Sequence, residues 1–109
     1  DEGLIDAVTG VSGSGPAYVF HLVEAMAAAG IAAGLAPDLA MQLARETVAG
    51  SGELLAQSAD PAETLRENVT SPGGTTAAAL DILMADDGLT ELMTRAIMRA
   101  TERSRELAG

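Results

Sequence analysis

The stretch PAYVFHLVEAMAAA, residues 16–29, decides the class of fold, because it predicts a helix with apolar side chains on nearly every side. The dipeptide Gly15-Pro16 marks its start, since proline suits the first helical position, and Gly30 is expected to end it. Only His21 and Glu24 interrupt the apolar surface. A helix of this kind is buried in a core or pressed against another chain.

Four more helices are expected downstream, of which Pro37-Asp38 and Asp60-Pro61 mark two starts and Asp86-Asp87-Gly88 marks one end. They cover residues 37–56, 61–67, 75 or 76 to 84, and 89–107. Asp60 is expected to cap the third helix, and one aspartate of Asp86-Asp87-Gly88 the last. No segment alternates between apolar and polar residues for long enough to predict a strand. The sequence therefore predicts an all-α fold, a compact bundle of about five helices in one domain over residues 1–109.

The second predicted helix carries a stripe of small residues, Ala40, Ala44, Val48 and Ser51. Small side chains let two helix backbones approach closely, so another helix is expected to pack here. The step Gly50-Ser51-Gly52 costs about 1 kcal/mol of helix stability per glycine relative to alanine. Such a step predicts a kink or a tight helix crossing at that point.

Charge and composition exclude several classes of function. The 109 residues hold 16 acidic and six basic side chains, a formal charge of −10, so nucleic acid is not expected as a partner. All six basic residues are arginine and no cysteine is present, which excludes Schiff-base and thiolate chemistry. No uninterrupted apolar run approaches the ~20 residues of a bilayer span. We therefore expect no membrane partner and a cytoplasmic location.

The last predicted helix combines an apolar face with a face of paired charges. The pairs, three or four residues apart, are Glu91 with Arg95, Arg99 with Glu102, and Arg103 with Glu106. Each is expected to stabilise the helix by about 0.3 kcal/mol while the charged face remains in solvent.

Three other features are weaker candidates for a site. His21 is the only histidine, and we expect it to be packed or at an interface rather than to act as an acid or base. No cluster of His, Asp and Glu has the spacing of metal ligands, and the pair Asp86-Asp87 is expected to cap a helix and face water. Gly13-Ser14-Gly15 follows no strand and does not fit Gly-x-Gly-x-x-Gly, so it predicts the start of a helix rather than a dinucleotide loop.

The segment TSPGGTT, residues 70–76, is the strongest candidate for a ligand site. The first amides of a helix lack intrahelical acceptors, and the helix dipole favours an anion there. Paired glycines let a ligand approach the backbone, and the hydroxyls of Ser71, Thr75 and Thr76 can donate or accept hydrogen bonds. Two interpretations stay open: a cradle for a carboxylate or phosphate, or a Pro-Gly turn in which Ser71 or Thr75 only caps the helix.

Two motifs, taken in their order along the chain, resemble those of one known family. They are VSGSGPAY at residues 11–18 and SPGGTT at residues 71–76. With a joint at residues 30–35 and a final helix ending in REL at residues 105–107, they make the chain similar to the C-terminal domain of pyrroline-5-carboxylate reductase over essentially its whole length. Met84 departs from the family pattern, because an acidic or amide side chain is common at that position.

The resemblance implies a helical dimerisation domain whose helices interlock with those of a second copy, as a homodimer or within a larger ring. It implies reduction of 1-pyrroline-5-carboxylate to proline, with NADPH or NADH held mainly by an N-terminal Rossmann domain that this chain lacks. The chain alone is therefore expected to be inactive. No metal is implied.

The resemblance also assigns roles to residues around the glycine-rich loop. Substrate binding is implied for Ser71, Gly73, Gly74, Thr75 and Thr76. Thr76 is further implied to be catalytic, because its hydroxyl would contact the ring nitrogen of the imine. Asn68 and Val69 are implied to border the nicotinamide.

Functional hypotheses from different classes stand side by side. The first is the substrate-binding and dimerisation half of a reductase, and the alternative is a non-catalytic helical module that only self-associates. A third, the helical domain of another small-acid dehydrogenase, would share the helices but not both motifs. The loop at residues 71–76 discriminates between the first two, because a pure association module has no need of two glycines and three hydroxyls at one helix start.

Overall fold

A computed structural model describes all 109 residues, and every regular element in the chain is helical. The elements are α1 (Glu2–Val8), a π-helical turn (Thr9–Gly13), α2 (Gly15–Ala32), α3 (Pro37–Gln57), α4 (Ala62–Asn68), α5 (Thr75–Leu83) and α6 (Leu89–Ala108). No strand is present, which confirms the predicted all-α class. The chain has one α-helix more than predicted, and the additional helix is α1.

The chain divides into two units, each described by itself. One unit consists of residues 1–14 and 60–109 and contains α1, the π-turn, α4, α5 and α6. The other consists of residues 15–59 and contains the helix pair α2 and α3, called the hairpin below. The single domain over residues 1–109 stays a prediction.

Helix α2 ends beyond the residue that the sequence predicted. Gly30 lies inside the helix, and the left-handed residue that ends it is Gly34, with φ +112°. The amide of Leu35 donates to the Gly30 carbonyl at 3.0 Å and that of Gly34 to Ile31 at 2.9 Å, which together form a Schellman motif. Gly30 instead allows α2 and α3 to pack closely, because a Cβ there would lie 3.3 Å from the Cβ of Ala40.

The core of the hairpin is built from alanine. Ala27, Ala40 and Ala44 are buried, and half-buried Val23 packs against them. Ala40 and Ala44 belong to the predicted stripe of small residues, and their burial confirms that a helix packs against it. Within the single chain no helix crosses tightly at Gly50 or Gly52, because a Cβ at either glycine would meet nothing within 4 Å, and the alternative of a kink there stays a prediction. The close approach is made by Gly30 and Ala40 instead.

The outer surface of the hairpin is apolar and uncovered. Phe20 is 67% exposed, and Leu22 and Leu43 are also exposed. A groove of about 820 Å³ between the two helices is lined mainly by apolar side chains, including Val19, Phe20, Val23 and Met41. A single copy of the chain therefore leaves most of its large apolar side chains in contact with water.

Helix α1 begins at a cap signal that the predicted helices do not include. The carboxylate of Asp1 accepts hydrogen bonds from the amides of Gly3 at 2.7 Å and Leu4 at 3.2 Å. The buried Asp6 in turn accepts a hydrogen bond from Ser104 of α6 at 2.8 Å. A local cap and a contact distant in sequence thus stabilise this short helix together.

The π-turn that follows α1 lies close against α6. A Cβ on Gly10 would lie 2.6 Å from the Thr101 hydroxyl and 3.1 Å from the Ile97 carbonyl, so only glycine fits without a shift. The amide of Ser14 donates to the Thr9 carbonyl at 2.9 Å, five residues back, which is the hydrogen bond that defines a π-helix.

Two predicted helix caps are wrong. Helix α4 begins at Ala62, with Pro61 at the N-cap position, so Asp60 is one residue too early to be the cap. Helix α6 has Gly88 at its N-cap position, and no side chain caps it, so neither aspartate of the acidic pair does so. Glycine is needed there because a Cβ on Gly88 would collide with the Leu83 carbonyl. Helix α5 ends at Leu83, one residue before the predicted end.

The charged face of α6 is confirmed. The predicted pairs have N–O distances of 3.7 Å for Glu91 and Arg95, 3.5 Å for Arg99 and Glu102, and 3.1 Å for Arg103 and Glu106. Arg99 also lies 3.6 Å from Glu106. All these side chains are solvent-exposed, so each pair stabilises the helix by only about 0.3 kcal/mol.

One helical run is long and apolar enough to cross a membrane, by length and composition only. Within residues Glu2–Ala32, an 18-residue window has a mean hydropathy of 1.2, and 6% of that window is buried. The prediction that no uninterrupted apolar run reaches span length still stands, because Asp6, His21 and Glu24 interrupt this one. A single such run near the N-terminus is weak support for a membrane helix.

Candidate functional site

The loop between α4 and α5 is a tight turn closed by a backbone hydrogen bond. The amide of Gly74 donates to the carbonyl of Ser71 at 3.0 Å. Pro72 occupies the second position of this turn, and Gly73, with φ +73°, occupies the third. Proline followed by a left-handed glycine is the signature of a type II turn. The sequence order Ser-Pro-Gly-Gly thus sets the shape of the loop locally.

Helix α5 begins without a side-chain cap. Gly74 occupies the N-cap position, the amide of Ala78 donates to its carbonyl at 3.1 Å, and no side chain accepts from the first amides of the helix. The interpretation in which Ser71 or Thr75 only caps the helix is therefore wrong. The physical reason is that the type II turn places Thr75 already inside the helix as its first residue. The amides of Thr75 and Thr76 carry the positive end of the helix dipole.

The hydroxyls near this helix start make no hydrogen bond within the chain. Ser71 and Thr75 are exposed and Thr76 is half-buried. Together with two helix amides they place five potential hydrogen-bonding groups within six consecutive residues, 71–76. The amide of Gly74 is not one of them, because the turn already uses it. The arrangement suits a small ligand with one anionic group.

Asn68 and Val69 lie directly before the loop. Asn68 is the last residue of α4, and Val69 is its C-cap, with a 66% exposed side chain. Their exposure next to the helix start of α5 leaves both side chains open to a ligand. The structure thus brings them to the edge of the loop, where the resemblance placed the nicotinamide.

A second, smaller feature lies between α4 and α5. It is a groove of about 230 Å³ whose walls include Arg66, Thr70, Ala77, Leu80 and Met84. The hydroxyl of Thr70 donates to the carbonyl of Arg66 at 2.6 Å. Sequence reasoning did not single out Thr70, although a threonine just beyond a helix end, four residues after a helical carbonyl, is a signal that could have found it.

The structure also places the weaker candidates from the sequence. His21 is 78% exposed in its side chain and lies 3.2 Å from Glu24, so the prediction of a packed histidine is wrong for the single chain, and an interface position stays a prediction. No group of three possible metal ligands exists in the chain. Gly15 is the first residue of α2, which confirms that Gly13-Ser14-Gly15 leads into a helix.

The structure combines an all-helical fold with a candidate site for a polar ligand at the loop before α5. Apolar side chains lie exposed on its helices, and the uncapped start of α5 has three hydroxyls without a partner in the chain beside it in the sequence. The model of the family described as pyrroline-5-carboxylate reductase dimerisation matches residues 2–107, and this chain belongs to that family. The resemblance stated from the two motifs is thereby confirmed.

Relatives agree with this assignment over nearly the whole chain. A pyrroline-5-carboxylate reductase of Pseudomonas aeruginosa is 48% identical over 109 residues, which cover 99% of this chain and 39% of that protein. The enzyme of Arabidopsis thaliana is 46% identical over 108 residues, covering 99% and 39% respectively. This chain therefore spans about two fifths of the length of the relatives it matches.

Solved structures show the same fold. The Plasmodium falciparum pyrroline carboxylate reductase with NADP bound is 34% identical with a TM-score of 0.89, covering all of this chain and 41% of that one. The enzyme of Coxiella burnetii is 37% identical with a TM-score of 0.90, covering 98% of this chain and 39% of that one.

Proposed function

We propose that this chain is the dimerisation and substrate-binding part of a pyrroline-5-carboxylate reductase, which reduces 1-pyrroline-5-carboxylate to L-proline with NADPH or NADH. The observation that carries the proposal is the uncapped start of α5 behind the type II turn. A helix start left open in this way, with three free hydroxyls beside it, suits a small carboxylate. Family membership supports the same activity.

The loop binds the carboxylate of the substrate. The amides of Thr75 and Thr76 donate to it from the helix start, and the Ser71 hydroxyl donates from the turn. Gly73 and Gly74 contribute by their shape. Gly73 supplies the left-handed conformation, and Gly74 lets the chain pass close to Ser71, since a Cβ there would lie 3.2 Å from the Ser71 carbonyl.

Thr76 orients the reacting end of the substrate. Its hydroxyl accepts from or donates to the ring nitrogen, which fixes the face of the C=N bond that is reduced. Threonine is too weak an acid to protonate the nitrogen itself, so the proton comes from water or arrives on an already protonated imine. Thr76 is therefore catalytic through contact and orientation.

A nicotinamide cofactor supplies the hydride when it is bound. The chain fits only one end of such a cofactor, because Asn68 and Val69 are exposed at the edge of the loop while no strand is present to build a Rossmann unit. We place the rest of the cofactor on a separate N-terminal domain and expect this chain alone to be inactive.

The apolar helices bind a second copy of the chain. Phe20 and its exposed apolar neighbours on the hairpin supply the surface that a stable homodimer buries. Association in this way also accounts for the part of the apolar run Glu2–Ala32 that lies in α2. Assembly of dimers into a larger ring and a cytoplasmic location remain part of this proposal.

The test replaces the matching segment of the Pseudomonas aeruginosa relative with this chain, so that a complete enzyme is assayed. In this chimera we expect Thr76→Ala to lower kcat/KM for pyrroline-5-carboxylate by about 100-fold, the effect of removing one well-placed hydrogen-bonding group. Thr94→Ala is the matched control, because Thr94 is an exposed helical threonine on α6.

Sedimentation measures whether both variants keep the mass of the parent assembly. Equal activities of the Thr76→Ala and Thr94→Ala chimeras would refute the catalytic role of the loop. Activity lost together with the dimer would place Thr76 in folding instead. A parent chimera that forms a dimer but reduces no substrate would favour the non-catalytic association module.

A further inference from the structure

We propose that Thr70 is a positioning residue, whose hydroxyl fastens the substrate loop to the end of α4. The inference rests on the proposed function, since it concerns the loop that binds the substrate. In this proposal Thr70 itself contacts neither the substrate nor the cofactor.

The hydrogen bonds at the end of α4 show what the Thr70 hydroxyl does. Val69 is the C-cap, with φ −106° and ψ 10°, so the chain has left the helix when it reaches Thr70. The amide of Thr70 donates to Glu67 three residues back, at 3.1 Å, instead of to Arg66 four residues back. The hydroxyl of Thr70 then donates to the Arg66 carbonyl at 2.6 Å. The side chain thus makes the bond that the amide would make in a continuing helix.

Other hydroxyls in the chain make the same kind of hydrogen bond in a different setting. Five side chains donate to a carbonyl four residues earlier: Thr9, Ser12, Thr70, Thr94 and Thr101. Four of them lie within α6 or the π-turn, where the helix continues around them. Thr70 lies beyond the end of α4, so its bond acts on the residues that lead into the loop.

The place of Thr70 in the chain gives that bond a functional consequence. Asn68 and Val69, proposed to border the cofactor, come directly before it, and Ser71, proposed to bind the carboxylate, comes directly after it. The half-buried Thr70 side chain also lines the small groove between α4 and α5. Loss of the bond would let the loop shift relative to α4, and a misplaced cradle weakens substrate binding.

The test is Thr70→Val in the chimeric enzyme, because valine keeps the shape and removes the donor. We expect KM for pyrroline-5-carboxylate to rise about fivefold, the effect of one lost neutral hydrogen bond. KM for NADPH should stay unchanged, since most of the cofactor is bound elsewhere. Thr70→Ser keeps the hydroxyl and should restore the parent KM.

Thr94→Val is the matched control, since it deletes a back-bonding hydroxyl of 2.7 Å inside α6 and should leave both KM values unchanged. Parent-like KM in Thr70→Val would overturn the inference, and so would equal damage in Thr70→Ser and Thr70→Val. Should Thr70→Val fail to assemble by sedimentation, Thr70→Ala is measured and judged by the same criteria. If Thr76→Ala abolishes activity while Thr70→Val does not alter KM, only the role of Thr70 fails and the proposed function stands.

Discussion

In the hairpin of α2 and α3 the groups without partners are apolar, whereas in the loop before α5 they are polar. The hairpin buries only small side chains between its helices and leaves Phe20 and its neighbours in water. The loop leaves two helix amides and three hydroxyls unpaired. Apolar surface is covered by a protein partner, and a helix start by a small anion. The two regions thus indicate separately what each still has to bind.

The largest effect of a substitution is expected at the proposed interface between the hairpin and a second copy of the chain. Phe20→Ala should raise the dissociation constant of the homodimer by about 100-fold, because a buried aromatic anchor contributes about 2–4 kcal/mol. Sedimentation over a dilution series measures it. Leu107→Ala is the control, since Leu107 is 71% exposed near the end of α6. Equal weakening by both variants would show that apolar exposure alone does not mark the interface.

A smaller effect, on the free energy of unfolding, is expected from a substitution between α2 and α3. Gly30→Val should lower the free energy of unfolding by about 2 kcal/mol, because the added side chain is forced against a packed neighbour. Ala40 lies only 3.3 Å from the position of its Cβ. Gly52→Val makes the same change in α3 where nothing lies within 4 Å, so it should have little effect.

Urea unfolding of both glycine variants at one protein concentration gives the comparison. A similar loss of stability in the two would mean that the close approach of α2 and α3 at Gly30 does not limit side-chain size.

The smallest effect is expected in the loop. Gly73→Ala places a Cβ on a residue with φ +73°, which costs about 1 kcal/mol and should weaken proline binding about fivefold. Gly73→Asn should bind almost as the parent does, because asparagine tolerates the left-handed region. The amide shifts of Thr75 and Thr76 during a proline titration report the affinity. If alanine and asparagine weaken binding equally, the turn conformation is not what matters.

Five of the six α-helices were predictable from the sequence, but α1 and several helix ends were not. Gly30 and Gly34 both suit a C-terminal end, and the choice between them depends on where Ala40 packs, which local sequence does not reveal. Helix α1 escaped prediction because it is short and its hydrogen bond to α6 joins Asp6 to Ser104, 98 residues away.

The loop was predictable in shape but not in its hydrogen bonding. Proline and glycine in order predict the type II turn from local conformational preference alone. Whether Ser71 or Thr75 caps α5 depends on which residue is the first helical one. The same sequence is compatible with a capped and with an uncapped start of α5. Thr70 was missed because the value of its hydroxyl depends on the helix ending at Asn68.

The alanine core of the hairpin has a thermodynamic consequence. Alanine loses no rotamer entropy when it is buried, so ordering α2 against α3 costs little. The apolar area buried by Ala27, Ala40 and Ala44 is also small, and the heat-capacity change of folding scales with such area. Most of that change should therefore accompany association rather than folding of the single chain. The melting temperature should then rise with protein concentration, as it does when only the folded state binds its partner.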